Sequence, residues 1–69
     1  MMTILFEPYS NMKGCLDRLF KVSKQNKVRI EILRMSDISA VIHIRGSEEG
    51  IKTMNIEFAS LNRRPLHNV

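Results

Sequence analysis

Apolar and polar positions change period several times along this chain, and each change marks an element. Thr3 to Glu7 mixes β-branched and apolar side chains and stops at Pro8, which predicts a first strand. Tyr9 to Lys13 carries polar turn chemistry. From Gly14 the period becomes helical: Cys15, Leu16, Leu19, Phe20 and Val22 fall on one side, with Asp17, Arg18, Lys21 and Lys24 on the other. The polar run Gln25 to Lys27 ends that helix. Val28, Ile30 and Ile32 then alternate with Arg29 and Glu31, the pattern of a strand with one buried face.

Ser36 and Asp37 mark a turn, after which Ala40, Ile42 and Ile44 alternate with Val41, His43 and Arg45. That third strand is placed to fold back on the second as a hairpin. Gly46 breaks it. Ser47 followed by Glu48 and Glu49 is a helix start, with a capping hydroxyl and then acids at the positive end of the dipole. Ile51, Met54, Phe58 and Leu61 form one apolar stripe along this second helix. Arg63 and Arg64 suit its C-terminal end, and Pro65 is expected to stop it. Leu66 to Val69 is left for a short last strand.

The order is βαββα with that final stub of β, all in one domain spanning residues 1–69. Two helices packed on one face of a small antiparallel sheet satisfy it, which is the α+β, ferredoxin-like arrangement. A chain of 69 residues is marginal on its own, because a domain this small buries only about 60% of the surface its unfolded form exposes. Single Cys15 excludes an internal disulfide, and His43 and His67 lie far apart with no second cysteine to hold a metal. Self-association through a sheet edge is therefore the expected source of extra stability.

Apolar runs such as Ile4–Phe6 are far shorter than a membrane span, and no basic start with a long apolar core is present. A cytoplasmic protein is expected. The net charge of +4 brings in acidic partners: nucleic acid, an anionic membrane surface or an acidic protein face, with RNA or an acidic protein surface as the alternative function. A ferredoxin-like sheet that reads RNA stacks bases on exposed aromatics. Here the third strand has none, Phe20 and Phe58 sit on helix stripes as expected core, and only Phe6 is a strand aromatic. Nucleic acid is thus the weaker reading.

Catalysis finds no constellation. Cys15 sits on the apolar side of its helix with no base assigned to it. Adjacent Glu48 and Glu49 point in different directions, while Asp17 and Glu31 lie among basic residues as expected ion-pair partners. Gly46 and Gly50 lack the lysine of a phosphate loop. The chain is not expected to be an enzyme.

The segment Asn11-Met12-Lys13-Gly14-Cys15-Leu16-Asp17-Arg18-Leu19-Phe20 resembles the signature of ACT domains, in which a polar residue and a glycine lead into a helix. Glycine there permits a tight turn and close approach of a ligand, and free amides at a helix start can hold a carboxylate. Val28-Arg29-Ile30-Glu31-Ile32-Leu33, Ile42-His43-Ile44-Arg45-Gly46 and Leu61-Asn62-Arg63-Arg64-Pro65-Leu66-His67-Asn68-Val69 are similar to the remainder of that unit in the short, single-domain small subunit of acetolactate synthase.

The resemblance implies a noncatalytic regulatory subunit of branched-chain amino-acid biosynthesis. It implies a homodimer, docked on the acetolactate synthase catalytic subunit, with a branched-chain amino acid as ligand. It implies no cofactor in this chain, since thiamine diphosphate belongs to the catalytic subunit. Carried over by position, Asn11, Met12, Lys13, Gly14, Cys15 and Leu16 would line the ligand, with Arg29 and Ile30 facing it from the neighbouring chain. Two positions depart from the pattern: Arg29 stands where valine-sensitive members carry a small polar residue, and Cys15 where alanine is usual.

Overall fold

The structure, a computed structural model, describes residues 2–69. In chain order the elements are β1 (Met2–Phe6), α1 (Met12–Gln25), β2 (Arg29–Met35), β3 (Ala40–Arg45), α2 (Glu48–Leu61) and β4 (His67–Asn68). The strands form one sheet in the order β2-β3-β1-β4, with every neighbouring pair antiparallel. Strands β1 and β2 therefore run parallel with β3 between them, which is the split βαβ arrangement of the ferredoxin-like fold.

Strand alternation decides what the two helices cover. Ile4, Phe6, Ile30, Ala40, Ile42 and Ile44 all point to one face, where they meet Met12, Cys15, Leu16 and Leu19 of α1 and Met54 and Phe58 of α2. At the centre Phe6 and Phe58 meet edge to face, with ring centroids 5.4 Å apart and planes at 77°, the arrangement favoured by the ring quadrupoles. Thr3, Leu5, Val41 and His43 alternate out to the other face and are half-buried there.

Three local outcomes differ from the sequence pattern. Helix α1 starts at Met12 instead of Gly14, because Asn11 caps it with extended dihedrals (φ −68°, ψ 141°) and so brings Met12 into the core. Phe20, expected in the core, is 39% exposed, while Ser23 is buried in the same helix. The Ser23 hydroxyl escapes the penalty of burial by donating to the Phe20 carbonyl at 2.7 Å.

Helix α2 ends at Leu61, before the arginines and before Pro65. Asn62 is extended, its amide oxygen accepts from the Glu7 amide, and its amide nitrogen donates to the Arg64 carbonyl. Those bonds pull the chain out of the helix and alongside β1. Arg63 consequently serves the end of β1: its amide donates to the Glu7 carbonyl at 2.9 Å and its guanidinium lies 3.6 Å from the Glu7 carboxylate. The last strand does form, pairing His67 with Leu5 and Asn68 with Ile4.

Helix α1 closes with a left-handed residue. The Val28 amide reaches back to the Ser23 carbonyl and the Lys27 amide to the Lys24 carbonyl, leaving Lys27 at φ 55°. This is the Schellman pattern, here with lysine at the position that glycine usually fills.

Candidate functional site

The β1–α1 junction is pinned from two sides before it reaches the helix. Glu7 is tied to Asn62, and the Tyr9 amide donates to the Leu61 carbonyl at 3.1 Å. Asn11 then caps α1, its side chain accepting from the Gly14 amide at 2.6 Å and its carbonyl from the Cys15 amide at 3.2 Å. A helix start has four amides without an intrahelical partner. The Cys15 amide makes the first helical bond, so the four are those of Asn11, Met12, Lys13 and Gly14, of which the Asn11 side chain takes up Gly14.

Met12 and Lys13 stand at the rim of a groove of about 710 Å³ between α1 and the far end of the β2–β3 hairpin. Met12, Leu16 and Phe20 recur every fourth residue and make an apolar wall, which Met35 of β2 faces from the hairpin. Lys13 and Asp17, also four apart, stand beside that wall, and Ser36 and Asp37 close the groove from the turn. The turn is held by the Ser36 hydroxyl oxygen, which accepts from the amides of Ile38 and Ser39 at 3.3 and 3.2 Å. Among the described residues Lys13, Asp17 and Asp37 form no ion pair, whereas Arg18 holds Glu57 at 2.8 Å. The ion pairs expected of Asp17 and Glu31 thus form at Arg18–Glu57 and Glu7–Arg63 instead.

Of the residues singled out by sequence, the structure brings Asn11, Met12, Lys13 and Leu16 together at the groove. Gly14 lies in the first turn of α1 with no positive φ, so the strand-to-helix turn does not call on glycine's left-handed freedom. Its role is room: a β-carbon there would sit 2.9 Å from the Asn11 oxygen. Cys15 is in the core, 6% exposed. Arg29 and Ile30 are separated by the pleat, since Ile30 is buried beneath the helices while Arg29 points to the open face opposite.

Sequence reasoning missed Asp17, Phe20, Met35, Ser36 and Asp37. The i, i+4 spacing of Leu16 with Phe20 and of Lys13 with Asp17 was a usable signal for the helical half. Nothing local links α1 to the hairpin end.

On the open face of the sheet, among the described residues, no phenylalanine, tyrosine or tryptophan is present, because Phe6 is fully buried; His43 places an imidazole ring there. No group of three or more metal-ligating side chains converges among the described residues, and no helix among them is long and apolar enough to cross a membrane. Compared with known proteins, the chain matches no family model, no curated protein and no solved structure. What the fold defines on its own is the class: a small α+β domain of the ferredoxin-like type.

Proposed function

We propose that this chain is a noncatalytic, ACT-like regulatory domain that takes an amino acid with an apolar side chain in the groove between α1 and the β2–β3 hairpin. As in the acetolactate synthase small subunit that its sequence resembles, it acts as a homodimer on a separate catalytic subunit. One observation carries this reading: a single groove offers all three complements of such a ligand. Lys13 and the Met12 and Lys13 amides suit a carboxylate, Asp17 and Asp37 suit an ammonium group, and Met12, Leu16, Phe20 and Met35 suit a branched hydrocarbon. Its volume of about 710 Å³ lies within the range of about 300–1,000 Å³ usual for small-molecule sites. Strand β2 is outermost in the sheet, so a second chain pairing along it would stand next to Met35 and the open side of the groove.

Titration calorimetry with valine, leucine and isoleucine tests the ligand, using the wild type, Lys13→Ala and Asp17→Asn. Binding of at least one of them, weakened in both variants, is the expected result. Reconstitution tests the regulatory role: the chain should change the rate of acetolactate formation by a catalytic subunit stripped of its own small subunit, and should show no turnover alone. Absence of heat with all three amino acids together with an unchanged rate would overturn the reading. The runner-up, an RNA-binding ferredoxin-like module, has among the described residues no phenylalanine, tyrosine or tryptophan on the open face of its sheet for bases to stack on.

A further inference from the structure

The open face of the sheet, on the side away from the groove, carries an arrangement that folding alone does not account for. Arg29 of β2 stands directly opposite Arg45 of β3. Like charges facing each other across an antiparallel pair repel, and arginine cannot relieve the repulsion by losing its proton. Arg18 and Arg63 meet acids, at Glu57 and Glu7, but neither Arg29 nor Arg45 does so among the described residues. Here the available acid, Glu31, is one row further along, opposite His43, and among the described residues it pairs with neither arginine.

His43 is in turn oriented from β1. Its Nδ1 lies 3.0 Å from the Thr3 hydroxyl. When that hydroxyl donates to Nδ1, the proton is on Nε2, which then points a donor out over the sheet. Arg29, Arg45 and His43 border one concavity of about 410 Å³, with Glu31 on its rim.

We propose that this concavity is a binding site for a phosphate group, clamped between the Arg29 and Arg45 guanidinium groups with His43 Nε2 as a third donor. Two guanidinium forks offer four N–H groups in pairs, and a lone carboxylate has only two oxygens to meet them. A phosphate monoester presents three oxygens and close to two negative charges, enough to occupy both forks and the imidazole. The repulsion between the arginines then becomes the source of affinity, because the ligand removes it. The site is independent of the amino-acid groove, which lies on the helical face.

Amide chemical shifts of the full chain, titrated with inorganic phosphate, test the site directly. Shifts confined to Arg29–Glu31 and His43–Arg45 at millimolar phosphate are expected, with acetate at equal ionic strength producing none. Arg29→Gln and Arg45→Gln should each weaken binding at least tenfold, and Glu31→Gln should tighten it by removing the nearby negative charge. A thermal shift guards against misfolding: Arg29→Glu faces Arg45 with an opposite charge, so it should raise the melting temperature of the free protein while abolishing the stabilisation by phosphate. A nucleoside monophosphate and an oligouridine without terminal phosphates separate the two sources of the group. Tighter binding of the monophosphate assigns the site to a phosphate monoester, whereas tighter binding of the oligomer, whose diesters each offer two free oxygens and one charge, would overturn it. Equal responses to phosphate and acetate, no response at all, or binding that survives both arginine substitutions would overturn the proposal.

Discussion

The Asn11 side-chain oxygen accepts the Gly14 amide proton across 2.6 Å, and a β-carbon on residue 14 would lie 2.9 Å from that same oxygen. Cap and glycine are therefore one device. Removing the cap by Asn11→Ala should destabilise the protein by about 1 kcal/mol. Gly14→Ala gains helix propensity of about 0.5–1 kcal/mol but pushes the Asn11 side chain off its bond, so it should be nearly neutral in the wild type. In the Asn11→Ala background the same change should give its full stabilisation. Urea denaturation of the four proteins in the cycle measures the coupling, and strictly additive effects would refute it.

Lys27 holds φ at 55° to close the Schellman turn after α1. A side chain with a β-carbon is disfavoured in that conformation, which glycine adopts freely. Lys27→Gly should therefore stabilise the protein by about 1 kcal/mol, despite the greater freedom it adds to the unfolded chain. Thermal denaturation showing a lower midpoint for Lys27→Gly would contradict this account.

Period and punctuation were enough to read most of the fold. Ala40–Arg45 alternates strictly and is a strand over that same span, and Ser47 caps α2 with its hydroxyl oxygen accepting from the Gly50 amide at 3.1 Å. The early start of α1 is set locally by the Asn11 cap, but the other two failures share a cause, each decided by a partner distant in sequence. Phe20 lies next to the apolar stripe of α1, yet it looks onto the hairpin turn at Ser36 and Asp37 and not into the core. Pro65 is a strong stop signal, but Asn62 ends α2 first because Glu7, 55 residues away, offers its amide. Half the groove was legible for the same reason. Its α1 residues are linked by helical spacing, whereas Met35 and Asp37 reach it only through the pairing of β2 with β3.

Phe58 has the largest predicted effect on stability. It is fully buried against Phe6, and truncating a buried phenylalanine costs about 3–5 kcal/mol. At about 0.05–0.15 kcal/mol per residue, a chain of 69 residues has about 3–10 kcal/mol in all to lose. Phe58→Ala should therefore lose a third or more of the stability and melt far below the wild type by circular dichroism, while Phe58→Leu should fold with a more modestly lowered melting temperature. A cooperative transition of Phe58→Ala at the wild-type temperature would show that the core is elsewhere.

The outermost strand predicts self-association. Leu33 occupies the register shift between Ile32 and Arg34, and Leu33, Met35 and Ile38 are 55%, 57% and 65% exposed. An edge carrying such side chains invites pairing with a second copy. Sedimentation at micromolar concentration should show a dimer for the wild type and a monomer for Leu33→Lys. Because Leu33 is exposed, the substitution should leave the circular dichroism spectrum unchanged, which distinguishes dissociation from unfolding. A wild type that stays monomeric would remove the edge from the proposed function.

Phe20 separates the groove from the core on a single helix. It follows Leu16 by four residues and Leu19 by one, but those two are buried and Phe20 is not. Truncating it removes apolar surface that is already partly in water, so Phe20→Ala should lower stability by no more than about 1.5 kcal/mol. The same change deletes a quarter of the apolar wall formed with Met12, Leu16 and Met35. If that wall receives a branched hydrocarbon, leucine binding should weaken at least tenfold, in line with the loss of about 1.4 kcal/mol of contact. Asp17→Asn on the same helix should weaken binding without altering the apolar contact, so its effect should persist for valine, leucine and isoleucine alike. Phe20→Ala, by contrast, should penalise leucine and isoleucine more than the smaller valine. A Phe20→Ala protein that folds normally and binds all three amino acids as tightly as the wild type would place the ligand away from this wall.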